Sequence, residues 1–526
     1  MVHRFATRRR FCCALALGAM SAAEAAGTLT YCMDGAPQGF DIAQYETGPT
    51  FDAAGIALYD QLTALVSATG QVVPQIAESW TISTDGLVYT LKLRRGVKFH
   101  STPWFKPSRD LNAQDVLFSI QRMWAKNHWA HAAARNGFVY WESMGMSTLV
   151  KAVDQLDSHT LRFTLSRPDA PFLASLAVPT IGSVYSAEYA EQLQRAGKLE
   201  QLNTQPVGSG PFIFRSYQKD AVIRYSANTA YWAGAPKIDA LVIAITADPD
   251  VRVQRLMVGE CLVAPLKNES AAQFTGNASV VVQTHRPLRT DYLAPNTERR
   301  HTADKRLREA MRLAIDKATL VRAHYGGSAT PAASFLPAQM WGRDTTLENR
   351  HDPAKARELV KASGYDGTEL ALFLANDTAT RRAGELIQAD LDRVGVKVRL
   401  QTMDLGELYK RTSKGEHDLA LLSWESDNGD PDNFFTPNLA CAAVAGGGNK
   451  ARWCNPAFDS LLDSARRTTD VAQRTAFYAR AERLLYDEVA VIPTAYPQAS
   501  TGVNRRVQGY VPSPFGLHDF RAVSVK

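Results

Sequence analysis

The chain reads as an α/β fold divided into more than one lobe, on two observations. Helical and strand-like hydrophobic patterns alternate along its length, with no internal repeat and no low-complexity tract. Its 526 residues, 45% of them hydrophobic, exceed what one core holds, so roughly two or three lobes are expected.

The elements follow in chain order. Arg4 and Arg8 to Arg10 form a basic stretch, Phe11 to Met20 an apolar run, and Ala23-Glu24-Ala25 a small-residue cleavage site. Residues 1–25 are therefore expected to be a secretory signal peptide, because the apolar run is far shorter than the ~20 residues of a bilayer span. Thr7-Arg-Arg-Arg-Phe11 also resembles a twin-arginine (Tat) signal, but ordinary Sec signals often hold two or three arginines, and Sec is favoured. Cys12 and Cys13 precede the apolar run instead of closing it, which favours a soluble periplasmic protein over a lipoprotein. Cleavage after Ala25 removes four arginines and Glu24, so the formal charge falls from +6 to +3. No long basic run marks nucleic-acid binding, and no further apolar stretch approaches membrane length.

Tyr89 to Lys98 alternates as a half-exposed strand. Asn112 is the expected N-cap of a helix starting at Ala113, with Asp115 in its first turn. Arg306 to Val321 spaces Leu307, Met311, Ala314, Ile315 and Ala318 as one helix. Asp352-Pro353 opens another, which Gly364 ends. Thr378 is the expected cap of a helix carrying Leu386, Ile387 and Leu391, stopping near Gly395 before a strand Val396 to Leu400. Leu419 to Trp424 reads as an apolar strand.

The densest chemistry follows that strand. Four carboxylates (Glu425, Asp427, Asp430 and Asp432) fall within eight residues, beside Trp424, Phe434 and Phe435. Carboxylates next to aromatics suit a cationic head on an apolar body, through charge-assisted hydrogen bonds and cation–π attraction. A solvated Asx-rich turn is the alternative, which Asp427-Asn-Gly-Asp-Pro431 also suits.

Four cysteines remain after cleavage: Cys32, Cys261, Cys441 and Cys454. An even number in an exported protein favours disulfides, with three pairings open, and nearness in sequence favours Cys441 with Cys454. CxxC spacing and clustered histidines are absent, so no metal and no cofactor is expected. A secreted hydrolase is disfavoured and no enzyme is expected. The chain has no Gly-x-Ser-x-Gly elbow and no His-Glu-x-x-His helix, and Gly208-Ser-Gly-Pro211 is a tight turn without a partner histidine nearby.

Ordered landmarks run through the whole sequence. They are Leu29-Thr-Tyr-Cys-Met-Asp-Gly, Ala77-Glu-Ser-Trp, Thr90-Leu-Lys-Leu-Arg-Arg-Gly-Val-Lys-Phe-His and Leu111-Asn-Ala-Gln-Asp-Val. Pro206-Val-Gly-Ser-Gly-Pro-Phe, Leu307-Arg-Glu-Ala-Met-Arg-Leu-Ala-Ile and Gly429-Asp-Pro-Asp-Asn-Phe-Phe complete them. Together they resemble the periplasmic dipeptide- and oligopeptide-binding proteins of ABC importers, the family 5 solute-binding proteins, in their dipeptide-binding and Sap-type branch. The resemblance implies a periplasmic binding protein type II-like α/β fold, with two main lobes closing about a hinge plus an extra domain. It implies a discontinuous first lobe (27–56, 208–285 and 498–526), the extra domain (57–207) and a closing lobe (286–497). It also implies the pairing Cys441–Cys454 with Cys32–Cys261. In function it implies a monomer that captures peptides, short, extended and free at the N-terminus, and delivers them to the membrane permease of an ABC transporter.

The resemblance carries over to particular residues. The strand offering backbone groups to an extended peptide corresponds to Ser423–Asp427, with Trp424 and Ser426. Asp427 matches the carboxylate that binds the ligand α-ammonium. Glu425 shares its face if the strand stays regular, and would then add negative field. Thr47-Gly48-Pro49-Thr50 matches a ligand-lining loop, Met340-Trp341-Gly342 an aromatic edge of the cleft, and Tyr292 a ligand-facing strand. Trp341 and Tyr292 read equally as core aromatics.

Two departures stand out. Dipeptide-binding relatives carry an arginine that clamps the peptide carboxylate, just before the helix matched by Thr378–Leu391; here Leu374-Ala-Asn-Asp-Thr-Ala-Thr lacks it, and Arg381 and Arg382 fall inside the helix. Arg289-Thr-Asp291 replaces small neutral residues, so Arg289 is either a replacement clamp or a partner of Asp291. Longer peptides, host-defence peptides, haem or a small cationic solute stay open as ligands; Thr102-Pro-Trp-Phe and Ser513-Pro-Phe-Gly lean toward the Sap-type branch. A chaperone-like or sensory module would use the same fold.

Overall fold

A computed structural model describes residues 27–66 and 70–526; the expected signal peptide, with Cys12 and Cys13, lies outside them. Three main sheets, with two further two-stranded ones, organise the described chain. A seven-stranded sheet orders its strands as Val280–His285, Ala499–Asn504, Val263–Leu266, Thr28–Met33, Ala240–Ile245, Val222–Ala227 and Phe212–Gln218. A six-stranded sheet orders Ala329–Pro331, Ile492–Pro497, Arg289–Pro295, Leu419–Glu425, Leu370–Ala375 and Val398–Met403. An antiparallel four-stranded sheet joins Ala77–Ile82, Val88–Leu93, Thr160–Leu165 and Val150–Asp157. The chain passes between the two large sheets through residues 286–288 and again through Gln498. Two short crossings of this kind form a hinge geometry.

The run Leu419–Glu425 is apolar on both faces because both faces are covered. It lies between Arg289–Pro295, antiparallel, and Leu370–Ala375, parallel. Leu422 and Trp424 pack in one cluster with Tyr292, Phe335 and Phe434. Leu419 and Leu421 pack with Met311, Ile387 and Leu391 under the helices behind. That two-sided burial makes the strand a rigid support for the turn that follows it.

Local signals set several boundaries as expected. Asn112 caps Ala113–Trp124 in a full capping box with Asp115. Asp352 caps Pro353–Ser363, and Gly364 ends that helix at φ +71°. Others differ. The helix expected over Arg306 to Val321 is two, Lys305–Ala314 and Lys317–Tyr325, because the Asp316 carboxylate accepts from Thr319 N at 2.9 Å and starts a new helix. Asp377, not Thr378, caps Thr378–Arg393, accepting from Thr380 N at 2.8 Å. Gly395 turns at φ +91°, which delays the next strand to Val398–Met403. The early strand ends at Leu93, where Arg94 N leaves the ladder for Ile76 O.

The structure pairs Cys32 with Cys261 (Cα–Cα 5.7 Å) and Cys441 with Cys454 (Cα–Cα 4.5 Å). The first ties the N-terminal strand to the start of its sheet neighbour Val263–Leu266. The second closes a short loop, worth about 3 kcal/mol in the chain-entropy model. Thiol titration of the denatured, unreduced protein lacking residues 1–25 should read near zero; two or more reactive thiols per chain would contradict both pairs. Among the described residues no helix is long and apolar enough to cross a membrane.

Candidate functional site

The strand Leu419–Glu425 stops one residue after Trp424, and Ser426 to Asp430 form a turn held by its own polar atoms. Ser426 N donates to Leu288 O at 2.8 Å, and Gly429 N donates to Ser426 Oγ at 2.8 Å. Gly429 takes φ +70°, which glycine adopts at little cost. Asp430 then caps the helix Pro431–Leu439. Asp427 therefore lies beyond the strand, not on a strand Ser423–Asp427 as the sequence suggests. Period-two alternation does not extend to it, so it does not place Glu425 and Asp427 on one face. Glu425 stands opposite Arg289 in the register. Burial pushes its carboxyl up to about 7, with Arg289 pulling it down and Asp427 adding to the rise.

Three of the four clustered carboxylates face arginines. Arg474 Nη2 bridges both Asp430 oxygens at 2.9 and 2.8 Å, Arg466 Nε donates to Asp432 at 2.8 Å, and Arg289 lies opposite Glu425. Asp427 differs: its partners are neutral. Oδ2 accepts from Tyr140 OH at 2.5 Å and Asn433 Nδ2 at 3.3 Å, while Asp427 N donates to Asn433 Oδ1 at 2.9 Å. Desolvation pushes the Asp427 carboxyl up to about 6; the bonds from Tyr140 and Asn433 oppose the rise and Glu46 adds to it.

Tyr140 comes from the short helix Val139–Ser143, outside both large sheets, and its ring stacks on Trp424 with centroids 6.1 Å apart and planes 9° apart. Among the described residues the buried Trp424 Nε1 has no hydrogen-bond partner, nor has the buried Oγ1 of Thr290, its register partner. A donor and a hydroxyl thus stand unsatisfied on paired strands, which buried polar groups tolerate poorly without a ligand or water.

The remaining expected residues fall into two groups. Thr47 to Thr50 is a helix start, not a loop: Thr47 is the N-cap residue of Gly48–Leu58. Thr47 Oγ1 bonds Gln38 Oε1 at 3.1 Å and Thr50 Oγ1 at 2.9 Å, so these hydroxyls brace the turn, while a Cβ added at Gly48 would meet nothing within 4 Å. Tyr292 is buried, edge-on against Phe335 at 5.0 Å, within the field of Glu46. Trp341 supports the turn from behind, donating Nε1 to Gly429 O at 3.1 Å and packing edge-on against Tyr478. Its ring is half-buried and packs against the core. Arg289 Nε donates to Asp291 Oδ1 at 2.8 Å, and Asp291 Oδ2 accepts from Tyr325 OH at 2.5 Å, so the pairing with Asp291 is the arrangement present.

Sequence reasoning missed Tyr140, Asn433, Glu46 and Lys450. Glu46 Oε1 meets Lys450 Nζ at 3.0 Å, and the Glu46 charge adds to the rise that desolvation mainly causes at Asp427, Tyr140, Tyr292 and Tyr409. The one signal for it was its place next to Thr47. Lys450 sits inside the Cys441–Cys454 loop, with nothing in its spacing to mark it.

The model for bacterial extracellular solute-binding proteins, family 5 Middle, matches residues 71–446. The chain is 43% identical over 505 residues to di/tripeptide-binding protein 2 of Pseudomonas aeruginosa, covering 95% of each. Its fold is similar to that of the dipeptide-binding protein of a Pseudoalteromonas species in complex with Met-Leu (TM-score 0.90, 31% identity, 95% of this chain and 100% of that one). It is also similar to an ABC transporter-associated periplasmic binding protein of Helicobacter pylori in complex with the peptide STSA (TM-score 0.92, 31% identity, 95% and 98%).

Proposed function

Since the chain belongs to the bacterial extracellular solute-binding proteins of family 5, we propose that it captures short peptides with a free N-terminus and delivers them to the permease of an ABC transporter. The family is one of solute binding. The protein acts in the periplasm, exported by the Sec route with residues 1–25 removed, and works as a monomer. Residues 27–56, 208–285 and 498–526 form one lobe, 57–207 the extra domain, and 286–497 the lobe that closes over ligand.

One observation carries this reading: a desolvated carboxylate, Asp427, meets only neutral donors between the lobes. An incoming α-ammonium supplies the missing charge and gains charge-assisted hydrogen bonds. In this reading Trp424 Nε1, buried and unpartnered among the described residues, donates to a peptide carbonyl. Mass spectrometry of the ligand released from protein purified from the periplasm tests the proposal. Short peptides with a free amino group support it; haem or a non-peptide solute as the major species would overturn it.

The far end of the ligand is held more loosely. Arg289 is engaged by Asp291, Lys450 by Glu46, and Arg381 and Arg382 are exposed on the outer face of Thr378–Arg393. Arg289 gives its Nε to Asp291 and Lys450 gives its ammonium to Glu46, so neither is committed to a C-terminal carboxylate. Amidating the C-terminus of a bound peptide should therefore cost less than about tenfold in affinity, ~1.4 kcal/mol. Loss of binding on amidation would show a carboxylate clamp, with Arg289→Ala the first variant to make.

A further inference from the structure

We infer that Lys450 sets the charge selectivity of this cleft: it is a tethered ammonium that neutralises Glu46, so that the ligand supplies a single cation, the one Asp427 takes. The inference rests on the peptide reading above and concerns the same site.

The pair is built, not incidental. Lys450 Nζ donates to Glu46 Oε1 at 3.0 Å, Ser413 Oγ at 2.7 Å and Gly447 O at 2.5 Å. An ammonium has three N–H groups, and all three are used. The two side chains are only 4% and 11% exposed, so this is not a solvated surface pair. They also come from distant parts of the chain, 404 residues apart. Glu46 lies two residues before the helix Gly48–Leu58, and Lys450 lies in the loop that Cys441–Cys454 closes. The disulfide fixes the backbone that carries the lysine, and the ring of Tyr409 lies 5.3 Å from Nζ.

Glu46 belongs to the ligand space. Lys450, which holds it, donates to Gly447 O, and the flanking Gly446 and Gly448 lie against Ser143 on the helix Val139–Ser143, whose Tyr140 hydroxyl binds Asp427. The Glu46 charge also adds to the rise that desolvation mainly causes at Asp427. Without Lys450 the cleft would hold a second carboxylate near Asp427 with no cation beside it. That arrangement would favour a ligand bringing two positive charges, such as a peptide with an N-terminal lysine. With Lys450 present, a second ligand cation meets an occupied carboxylate and a fixed like charge. Selection against the dication is thus written into a side chain that need not touch the ligand.

The test is calorimetric titration with two probes, norleucyl-alanine and lysyl-alanine, which differ only in the side-chain amine. Lys450→Met should shift the preference toward lysyl-alanine by about tenfold or more. Glu46→Gln should shift it the other way, and the double variant should return to within about threefold of the wild-type ratio. Lys450→Arg, which keeps the charge, should hold that ratio. Opposite shifts that cancel are the signature of charge selection. An unchanged ratio in both single variants, or shifts in the same direction, would overturn the inference; the latter is what lost packing would give. If Lys450→Met does not fold, Glu46→Gln and Lys450→Arg still decide it. If the wild-type protein binds neither probe, the peptide reading fails, and the inference falls with it.

Discussion

Replacing Asp427 by asparagine should weaken binding of an unblocked peptide by about 2–5 kcal/mol, the cost of removing one side of a buried charge pair. The protein itself should stay folded. Asparagine keeps the shape, its oxygen still accepts from Tyr140 OH, and the turn is held by Ser426, Gly429 and Asp430, not by the Asp427 charge. The variant also separates two pH effects. The Asp427 carboxyl titrates at about 6 in the folded chain against an ordinary value of 3.8. A raised carboxyl favours the folded state while protonated, so its contribution is full below about pH 4 and fades as pH rises through about 6. The asparagine side chain does not ionise, so the ligand-free variant should be as stable as wild type or more so at about pH 7. Ligand affinity runs the opposite way. An ammonium needs the ionised carboxylate, so wild-type affinity should rise through about pH 6 and level off, while the variant stays flat. Calorimetry showing equal affinity for wild type and Asp427→Asn would remove Asp427 from the site.

Arg474→Met should destabilise the protein by about 3–5 kcal/mol, because it leaves the buried Asp430 carboxylate without its cation. Arg474 Nη2 contacts both Asp430 oxygens and Tyr478 OH, and its Nε donates to Ala465 O. Asp430 in turn caps the helix Pro431–Leu439 and closes the turn that presents Asp427. Peptide binding should fall together with stability for that reason. Adding Asp430→Asn to Arg474→Met should recover part of the loss, since the orphaned charge is then gone. Denaturant unfolding of the three proteins measures both effects. A midpoint for Arg474→Met equal to wild type would show that the pair carries no such weight.

These two residues also show where the sequence informs and where it does not. The caps Asn112 and Asp352 and the glycine stop at Gly364 act within a few residues, so their chemistry is visible locally. Asp316 acts locally too, but an apolar stripe running through it hides the break between two helices. The acidic segment shows its charge but not its division of labour. Asp430 and Asp432 become structural because Arg474 and Arg466 arrive from later helices, 44 and 34 residues away. Asp427 stands out in the sequence only through family resemblance. Its actual partner Tyr140 is 287 residues away, and Glu46 and Lys450 are separated by 404. No periodicity or spacing reports a contact over such distances. The expected strand Ser423–Asp427 failed for a nearer reason: Ser426 N bonds Leu288 O and its hydroxyl takes Gly429 N, so the chain turns before Asp427.

The central proposal is that Asp427 holds the free N-terminus of a peptide. The most direct measurement is calorimetric titration of the wild-type protein with trialanine and with N-acetyl-trialanine. The acetylated peptide keeps every side chain and carbonyl but loses the ammonium. The expected result is binding of trialanine, with affinity at least about thirtyfold lower after acetylation, a loss of ~2 kcal/mol or more. Equal affinity for the two peptides would contradict it.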